Sequence, residues 1–393
     1  MNKDFNFDEV IDRSNHNSAK YDELVKNFGR SDLIPMWIAD MDFQVAKPIR
    51  DAIDEKNTHG IFGYVYRPES YFMSFVNWQK KRHNWDISEK LCAFNTSVVS
   101  AIYSSICLFS SDNANIMFLT PAYTQFFNIV KNAGRKAITS MLKEVNGTFE
   151  IDFEDFENKL KEKPEIFIMC NPHNPLGRVW KKEEIEKIDK LCQQYGVLVI
   201  SDEIHSDLLL WGNKHTPYAS VSDYAAQNTI TCFSTTKTFN LAGLQASTTL
   251  YPNLDMKRIS DEYWDKLEQS RNNCFSVVAM EAALNHGEEW LQELIYYIEK
   301  NMIFVKNFID KHLPMIKFHI PESTYLMWLD FRALQMNDDD LWDFLINKAK
   351  LALSRGIYFG GEPGFMRMNV ACPQSKIEDA LFQLKAAVDS LEL

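Results

Sequence analysis

Three short apolar runs in the middle of the chain constrain its fold more than any other feature. They cover residues 166–170, 197–201 and 229–233, and each has the length of a buried strand. Between the first two, residues 181–195 carry apolar side chains at helical spacing. A helix that connects two buried strands makes them parallel neighbours. The sequence therefore predicts an α/β fold in which a mostly parallel sheet lies between helices.

Patterns on both sides of this region predict two further parts of the chain. Next to the central strands we expect a strand at 116–119 and helices at 98–108, 276–286 and 290–312. The C-terminal part predicts strands at 316–320, 325–331 and 365–371 and helices at 338–353 and 375–391. We therefore expect a large domain at 46–288, a smaller α+β domain at 289–393, and an N-terminal segment at 1–45 that contributes to the smaller domain.

Net charge, the N-terminus and the cysteines limit the binding partners, the location and the kinds of site that we expect. The 393-residue chain has a formal net charge of −12, which disfavours binding to nucleic acid or to an anionic membrane. Residues 1–12 lack the apolar stretch of a signal peptide, so we expect a cytoplasmic protein. The seven cysteines are scattered, with no histidine at ligand spacing, and predict neither a metal site nor a disulfide framework.

Polar motifs follow two of the predicted strands. Asn174 belongs to an Asn-Pro-rich turn directly after residues 166–170, and Asp202 follows residues 197–201. Open α/β sheets bind ligands at the carboxyl ends of such strands. A buried carboxylate is costly unless it faces a cation, which a pyridinium nitrogen would supply. Ordinary turn chemistry for Asn174, and a helix cap or a metal ligand for Asp202, remain alternatives at this point.

Two cationic residues complete the set of candidates. Lys237 follows the strand 229–233 and the hydroxyl residues 234–236, where a lysine amine can be desolvated enough to form an imine. Arg367 interrupts an apolar strand pattern and needs an anion, such as a substrate carboxylate. An internal salt bridge is the alternative for Arg367.

Together these motifs resemble the pyridoxal 5′-phosphate enzymes of the aspartate aminotransferase fold. The resemblance rests on Asn174-Pro175-x-Gly177, Asp202-x-x-His205, Ser234-x-x-Lys237 and Arg367 in a Phe-x-Arg-x-Asn context. Residues 34–43 (IPMWIADMDF), 237–244 and 323–330 are similar to the cystathionine β-lyases of the MalY/PatB type. The resemblance extends over nearly the whole chain. It implies pyridoxal 5′-phosphate as the cofactor.

The resemblance also assigns roles to individual residues. Lys237 would hold the cofactor aldehyde and later act as the catalytic base, while Arg367, Ala39 and Trp37 would bind the substrate. The other implied cofactor contacts are Asp202 to the pyridine nitrogen, Asn174 to the phenolate oxygen, His205, Tyr123 stacked on the ring, and Ser234, Thr236, Val98 and Val99 at the phosphate. Tyr64 would act catalytically at the cofactor phosphate of a second subunit, which implies a homodimer with shared active sites.

Two positions depart from the family pattern. Ser97 stands where the family usually has a glycine beside the phosphate, and Gln245 stands where many aminotransferases have a phosphate-binding arginine. The phosphate site is therefore expected to be less cationic, although hydroxyl and amide groups can still donate hydrogen bonds.

The activity that the resemblance implies is α,β-elimination from a sulfur amino acid. Cystathionine, cysteine or another cysteine S-conjugate would yield a thiol, pyruvate and ammonia, as in methionine biosynthesis. Two alternatives stay open. The same residues serve an aminotransferase, and a cofactor-binding regulatory protein without turnover is a third interpretation, for which the sequence shows no basic DNA-binding segment.

Overall fold

The computed structural model describes residues 5–145 and 147–391. Residues 1–4 therefore lie outside it, although they belong to the stretch examined for a signal peptide and to the predicted segment 1–45. The helices are α1 Ala19–Asp22, α2 Leu24–Phe28, α3 Lys47–His59, α4 Glu69–His83, α5 Val98–Phe109, α6 Thr124–Asn132, α7 Phe153–Leu160, α8 Lys182–Tyr195, α9 Asp223–Gln227, α10 Thr235–Thr238, α11 Leu254–Lys266, α12 Cys274–His286, α13 Glu288–His312, α14 Asp338–Asn347 and α15 Gln374–Asp389.

The strands form one large sheet and three small ones. They are β1 Ile34–Pro35, β2 Cys92–Asn95, β3 Asn115–Thr120, β4 Lys136–Met141, β5 Lys143–Val145, β6 Thr148–Glu150, β7 Ile166–Cys170, β8 Leu198–Asp202, β9 Thr229–Phe233, β10 Ser247–Leu250, β11 Leu326–Asp330, β12 Leu351–Ala352, β13 Ser354–Arg355 and β14 Phe365–Asn369.

The large sheet has the spatial order β2-β10-β9-β8-β7-β3-β4. The strands from β9 to β4 are parallel, whereas β10 is antiparallel to both of its neighbours. The predicted parallel pairing of the three central strands is confirmed, and α8 connects β7 to β8. Apolar side chains cover both faces of the sheet, and the inner strands β3 and β7 carry apolar residues almost without interruption. The predicted α/β fold class is correct.

The C-terminal part carries a three-stranded antiparallel sheet in the order β11-β14-β13. The strand β1, near the start of the chain, pairs in parallel with β12, near its end. One hydrophobic cluster includes Met36 and Met41 after β1, Leu291 in α13 and Met366 in β14. The N-terminal segment is thus packed against the C-terminal elements.

Two predicted elements of the C-terminal part are wrong. Residues 316–320 do not form a strand, because only Lys317 pairs with a neighbour, through an isolated bridge to Asp330. The predicted helix 338–353 ends at Asn347. Lys350 then adopts a left-handed backbone with φ of 55°, and the next two residues form β12. Asp338, Asp339 and Asp340 occupy the first turn of α14, where carboxylates complement the positive end of the helix.

Candidate active site

One cavity of about 710 Å³ lies at the carboxyl ends of β7 and β8. The parallel strands bring their polar ends together there, as expected for an open α/β sheet. Segments after β1 and β9 and the strand β14 close the other sides. Most of the residues singled out from the sequence line this cavity: Trp37, Ala39, Val98, Val99, Tyr123, Asn174, Asp202, His205, Thr236, Lys237 and Arg367.

Lys237 lies on the short helix α10, which begins directly after β9. Its Nζ donates a 2.7 Å hydrogen bond to the backbone oxygen of Ala39. Enclosure of the amine, with a smaller effect of the Arg367 charge, lowers the pKa of Lys237 to about 8. Roughly a tenth of the amine is therefore uncharged and nucleophilic at pH 7, a far larger share than for an ordinary lysine.

Asp202 is the last residue of β8 and is buried. Burial raises the pKa of its carboxyl to about 7, against the opposing effect of the Ile204 backbone N–H, which donates to Oδ1 over 3.2 Å. Among the described residues, no cation lies within ion-pair distance of Asp202. The hydrogen bond to Ile204 closes a local turn, so the helix-cap alternative is wrong. The Asp202 carboxylate therefore has no cationic partner among the described residues, and a bound ligand could supply one.

Arg367 lies in the centre of β14 and is buried. Its guanidinium donates to the Asn174 side-chain oxygen over 3.2 Å and to the Trp37 backbone oxygen over 2.9 Å. Burial lowers the pKa of Arg367 to about 10, and Nε has no hydrogen-bond partner. Both partners are neutral oxygens. The internal salt bridge considered from the sequence is absent from the part of the chain that the structure describes, and the guanidinium retains capacity for an anion.

Two rings lie on the cavity wall between these groups. Burial, with smaller effects of the Lys237 and Arg367 charges, lowers the pKa of His205 to about 3, so its imidazole is neutral. Its Nδ1 is buried without a hydrogen-bond partner. Tyr123 follows β3 and stands directly before α6. Burial raises the pKa of the Tyr123 hydroxyl. Both side chains thus present neutral rings to a ligand.

The opposite end of the cavity is formed by the start of α5. Val98 and Val99 occupy the first two positions of this helix, whose N-terminal backbone amides favour an anion. Ser97 caps the helix by accepting from the Ser100 amide over 3.0 Å. Its φ of −160° is ordinary extended backbone, so this position does not require glycine. Gln245 and Thr236 also line the cavity.

Two predicted site residues do not line the cavity. Ser234 is buried, and its hydroxyl donates to the Ala246 backbone oxygen over 2.6 Å and accepts from the Thr236 amide. It holds the start of α10 in place. Tyr64 is 97% exposed and contacts Arg271, whose guanidinium carbon lies 5.8 Å from the ring centre. The structure does not bring Tyr64 to the cavity of its own chain.

The sequence analysis missed several residues of the site. Tyr325 donates to the Ala39 backbone oxygen over 3.0 Å, so Ala39 accepts from both Tyr325 and Lys237. Aromatic residues that were not predicted also line the cavity: Phe28, Trp342, Tyr358 and Phe359. Among the described His, Cys, Asp and Glu side chains, none form a group of three that could hold a metal ion.

Comparison with known proteins connects this geometry to a family. Residues 53–384 match the family model described as aminotransferase class I and II. The chain belongs to this aminotransferase family. Within it, the chain is 40% identical to cystathionine beta-lyase PatB of Bacillus subtilis, over 98% of this chain and all of that protein.

Solved structures of the aminotransferase family have the same fold. A pyridoxal-phosphate-bound protein of Clostridium difficile, described as a proposed aminotransferase, is 44% identical and superposes with a TM-score of 0.96, covering 98% of this chain and 100% of that one. The pyridoxal-phosphate-bound C-S lyase of Staphylococcus hominis is 32% identical with a TM-score of 0.91, over 98% of both chains. The aspartate aminotransferase-like fold predicted from the sequence is confirmed.

Proposed function

We propose that this protein is a pyridoxal 5′-phosphate-dependent carbon–sulfur lyase. A cysteine thioether, such as cystathionine or another S-conjugate, would react with water to give a thiol, pyruvate and ammonia. The observation that carries the proposal is the meeting of three groups in one cavity: the depressed-pKa amine of Lys237, the carboxylate of Asp202 without a cationic partner, and the guanidinium of Arg367 without an anionic one. The similarity to PatB and to the S. hominis C-S lyase favours elimination.

The unpaired groups of the cavity fit this cofactor. A protonated pyridine nitrogen would neutralise Asp202, which otherwise bears an unfavourable buried charge. The free Nδ1 of His205 and the amides at the start of α5 offer further polar contacts. Lys237 would bind the aldehyde, Asn174 the phenolate oxygen and Tyr123 the ring face. Thr236, Val98, Val99 and Gln245 would hold the phosphate, with Ser234 holding the start of α10.

The residues of this chain would then have separate roles in the reaction. Arg367 would bind the substrate carboxylate beside the backbone of Trp37, and the segment with Ala39 would cover the substrate. Lys237, once released as a free amine, would remove the proton from Cα. The bound cofactor would supply the electron sink that makes this proton acidic. Breaking of the Cβ–S bond then releases the thiolate, which takes up a proton.

Transamination is the second candidate, because the same residues can return the proton to a different carbon. The similarity to the C. difficile protein described as an aminotransferase favours it. Incubation of the purified holoenzyme with cystathionine, followed by separate assays for pyruvate and for amination of an added keto acid, distinguishes the two. Pyruvate and thiol in equal amounts support the lyase. Amination without pyruvate would reject it.

Assembly and location complete the proposal. Tyr64 lies in a run of exposed apolar residues that includes Ile61 (66% exposed), Phe62 (54%) and Tyr66 (78%). Such a patch is typical of an interface. A homodimer would cover it and let Tyr64 reach the cofactor phosphate of a second copy. None of the helices in residues 5–145 and 147–391 is long and apolar enough to cross a membrane. We propose a cytoplasmic homodimer with the functional division 1–45, 46–288 and 289–393.

A further inference from the structure

The outer part of the active-site cavity is a continuous aromatic wall. Phe28 of α2 lies between two indole rings: its ring centre is 5.3 Å from that of Trp37 and 5.1 Å from that of Trp342. All three residues line the cavity, together with the buried Leu353. The wall is anchored to the carboxylate-binding residue, because the backbone oxygen of Trp37 accepts from Arg367. The aromatic wall, defined as Phe28, Trp37 and Trp342, therefore begins beside Arg367.

Charge is confined to the inner part of the same cavity. Among the described residues that line it, the acidic and basic side chains are Asp202, Lys237 and Arg367, while the imidazole of His205 is neutral. The other polar side chains of the outer part, including Asn27, Gln125 and Ser354, are neutral. A substrate group that lies along the aromatic wall thus meets rings and amides but no free ionic partner.

Arg355 is the cation next to this wall, and its charge is already paired. Its guanidinium carbon lies 5.6 Å from the ring centre of Trp342. The same guanidinium donates to Asp338 over 2.6 Å and to Asp339 over 2.5 Å. These two carboxylates belong to the first turn of α14, where Asp338 also accepts from the Gly364 amide. Two carboxylates therefore already offset the charge of Arg355, which makes this guanidinium a weak partner for a substrate carboxylate.

We infer that the preferred substrates are cysteine conjugates whose sulfur carries an uncharged aromatic or bulky alkyl group. This inference rests on the proposed lyase function and narrows its substrate class. The distal half of cystathionine ends in an ammonium and a carboxylate, and burying both along the aromatic wall leaves them without charged partners. A benzyl group instead stacks on the wall and gains apolar burial. The leaving thiol is then apolar.

The test compares S-benzylcysteine, S-methylcysteine and cystathionine as substrates of the holoenzyme. We expect kcat/KM for S-benzylcysteine to exceed that for cystathionine by about tenfold or more. Trp342→Ala should lower the ratio of S-benzylcysteine to S-methylcysteine turnover by about tenfold, and Trp342→Phe should restore most of it. Phe382→Ala is the matched control, because Phe382 is an exposed aromatic residue outside the cavity and should leave the ratio unchanged.

A binding measurement separates this inference from the proposed function. In 2-amino-5-phenylpentanoate and 2,7-diaminosuberate, a methylene replaces the sulfur of S-benzylcysteine and cystathionine, so neither can lose a thiol. Calorimetry should show the phenyl compound binding about tenfold more tightly, with the difference reduced in Trp342→Ala. Equal or tighter binding of diaminosuberate, or an unchanged ratio in Trp342→Ala, overturns the inference. Absence of pyruvate from every conjugate overturns the lyase proposal alone.

Discussion

Asp202 at the end of β8 and Asp207 in the turn that follows are both buried, but their carboxylates have opposite pKa shifts. Burial acts against ionisation of both. At Asp207 the effect of burial is outweighed by a hydrogen bond and charge from His83, by the charge of Arg82 and by the indole N–H of Trp78, which donates over 2.9 Å. The pKa of Asp207 is therefore lowered. At Asp202 no such partners compensate, and the pKa is raised to about 7. One carboxylate is paired within the protein, and the other is left for a ligand.

This contrast predicts the stability of two cofactor-free variants. A carboxyl whose folded pKa is above its unfolded value loses stability as pH rises between the two, here from about 4 to about 7. Asp202→Asn should therefore increase the free energy of unfolding at pH 8 by up to about 4 kcal/mol, and by roughly 2–3 kcal/mol less at pH 5. Asp207→Asn should destabilise the protein at pH 8. Urea unfolding at both pH values measures this, and equal effects of the two variants would contradict it.

The pH dependence of cofactor capture follows from Lys237. Only the neutral amine can attack an aldehyde, and the pKa of about 8 means that this form increases with pH up to about 8 and then levels off. The rate at which the cofactor-free protein binds pyridoxal 5′-phosphate covalently should therefore rise about tenfold per pH unit below that point. Borohydride trapping and mass spectrometry give the rate and the labelled residue.

Two variants control this measurement. Arg367→Gln should move the midpoint to higher pH, because the Arg367 charge contributes to the lowered pKa of Lys237. Lys237→Ala should give no covalent product. Labelling of a different lysine, or a midpoint near the ordinary lysine value, would show that Lys237 is not the attachment site.

The tight packing around Gly177 predicts that one added methyl group would strongly reduce the free energy of unfolding. Its φ is +68°, and a Cβ there would lie 2.5 Å from Cβ of Pro321 and 2.8 Å from the backbone oxygen of Ser323. Gly177→Ala should reduce the free energy of unfolding by about 3 kcal/mol. Gly196 has nearly the same φ, +67°, but open space around it, so Gly196→Ala should cost only about 1 kcal/mol. Comparable losses from chemical denaturation of both variants would refute the packing argument.

The proposed homodimer predicts complementation between two defective variants. If Tyr64 serves the second subunit, Tyr64→Ala and Lys237→Ala proteins are each impaired, but a mixed dimer has one site with both defects and one intact site. Random reassociation should restore about a quarter of wild-type activity. Lack of recovery after verified subunit exchange, with a clearly impaired Tyr64→Ala protein, would place the role of Tyr64 within its own chain.

The sequence predicted the part of the site that depends on strand ends. Asn174, Asp202 and Lys237 each follow a short apolar strand, and parallel strands bring such positions together whatever the loops do. Tyr325 could not be found in this way, because a tyrosine beside an apolar strand has the pattern of a core residue. Its function in the site depends on a hydrogen bond to Ala39, far away in the sequence.

Long-range pairing explains two further errors, the predicted end of α14 and the missed aromatic residues of the cavity. The helical pattern continues past Asn347, and no glycine or proline interrupts it before Leu351. The chain nevertheless forms β12 at that point, because Ile34 and Pro35 provide a strand partner. Phe28 and Trp342 were not predicted as cavity residues for the same reason: they come together only after the N-terminal segment docks on the C-terminal elements.

The pairing of β1 with β12 also sets the order of events on the ribosome. Ile34 is made early, but its partner Leu351 is translated roughly 15–60 s later at about 5–20 residues per second. The strands of the large sheet, from Cys92 to Leu250, are complete well before that time. The nascent chain can therefore fold its sheet first, whereas the segment with Trp37 and Ala39 reaches its final position only after Leu351 and Ala352 have been made. The cavity would therefore be completed only after the large sheet has formed.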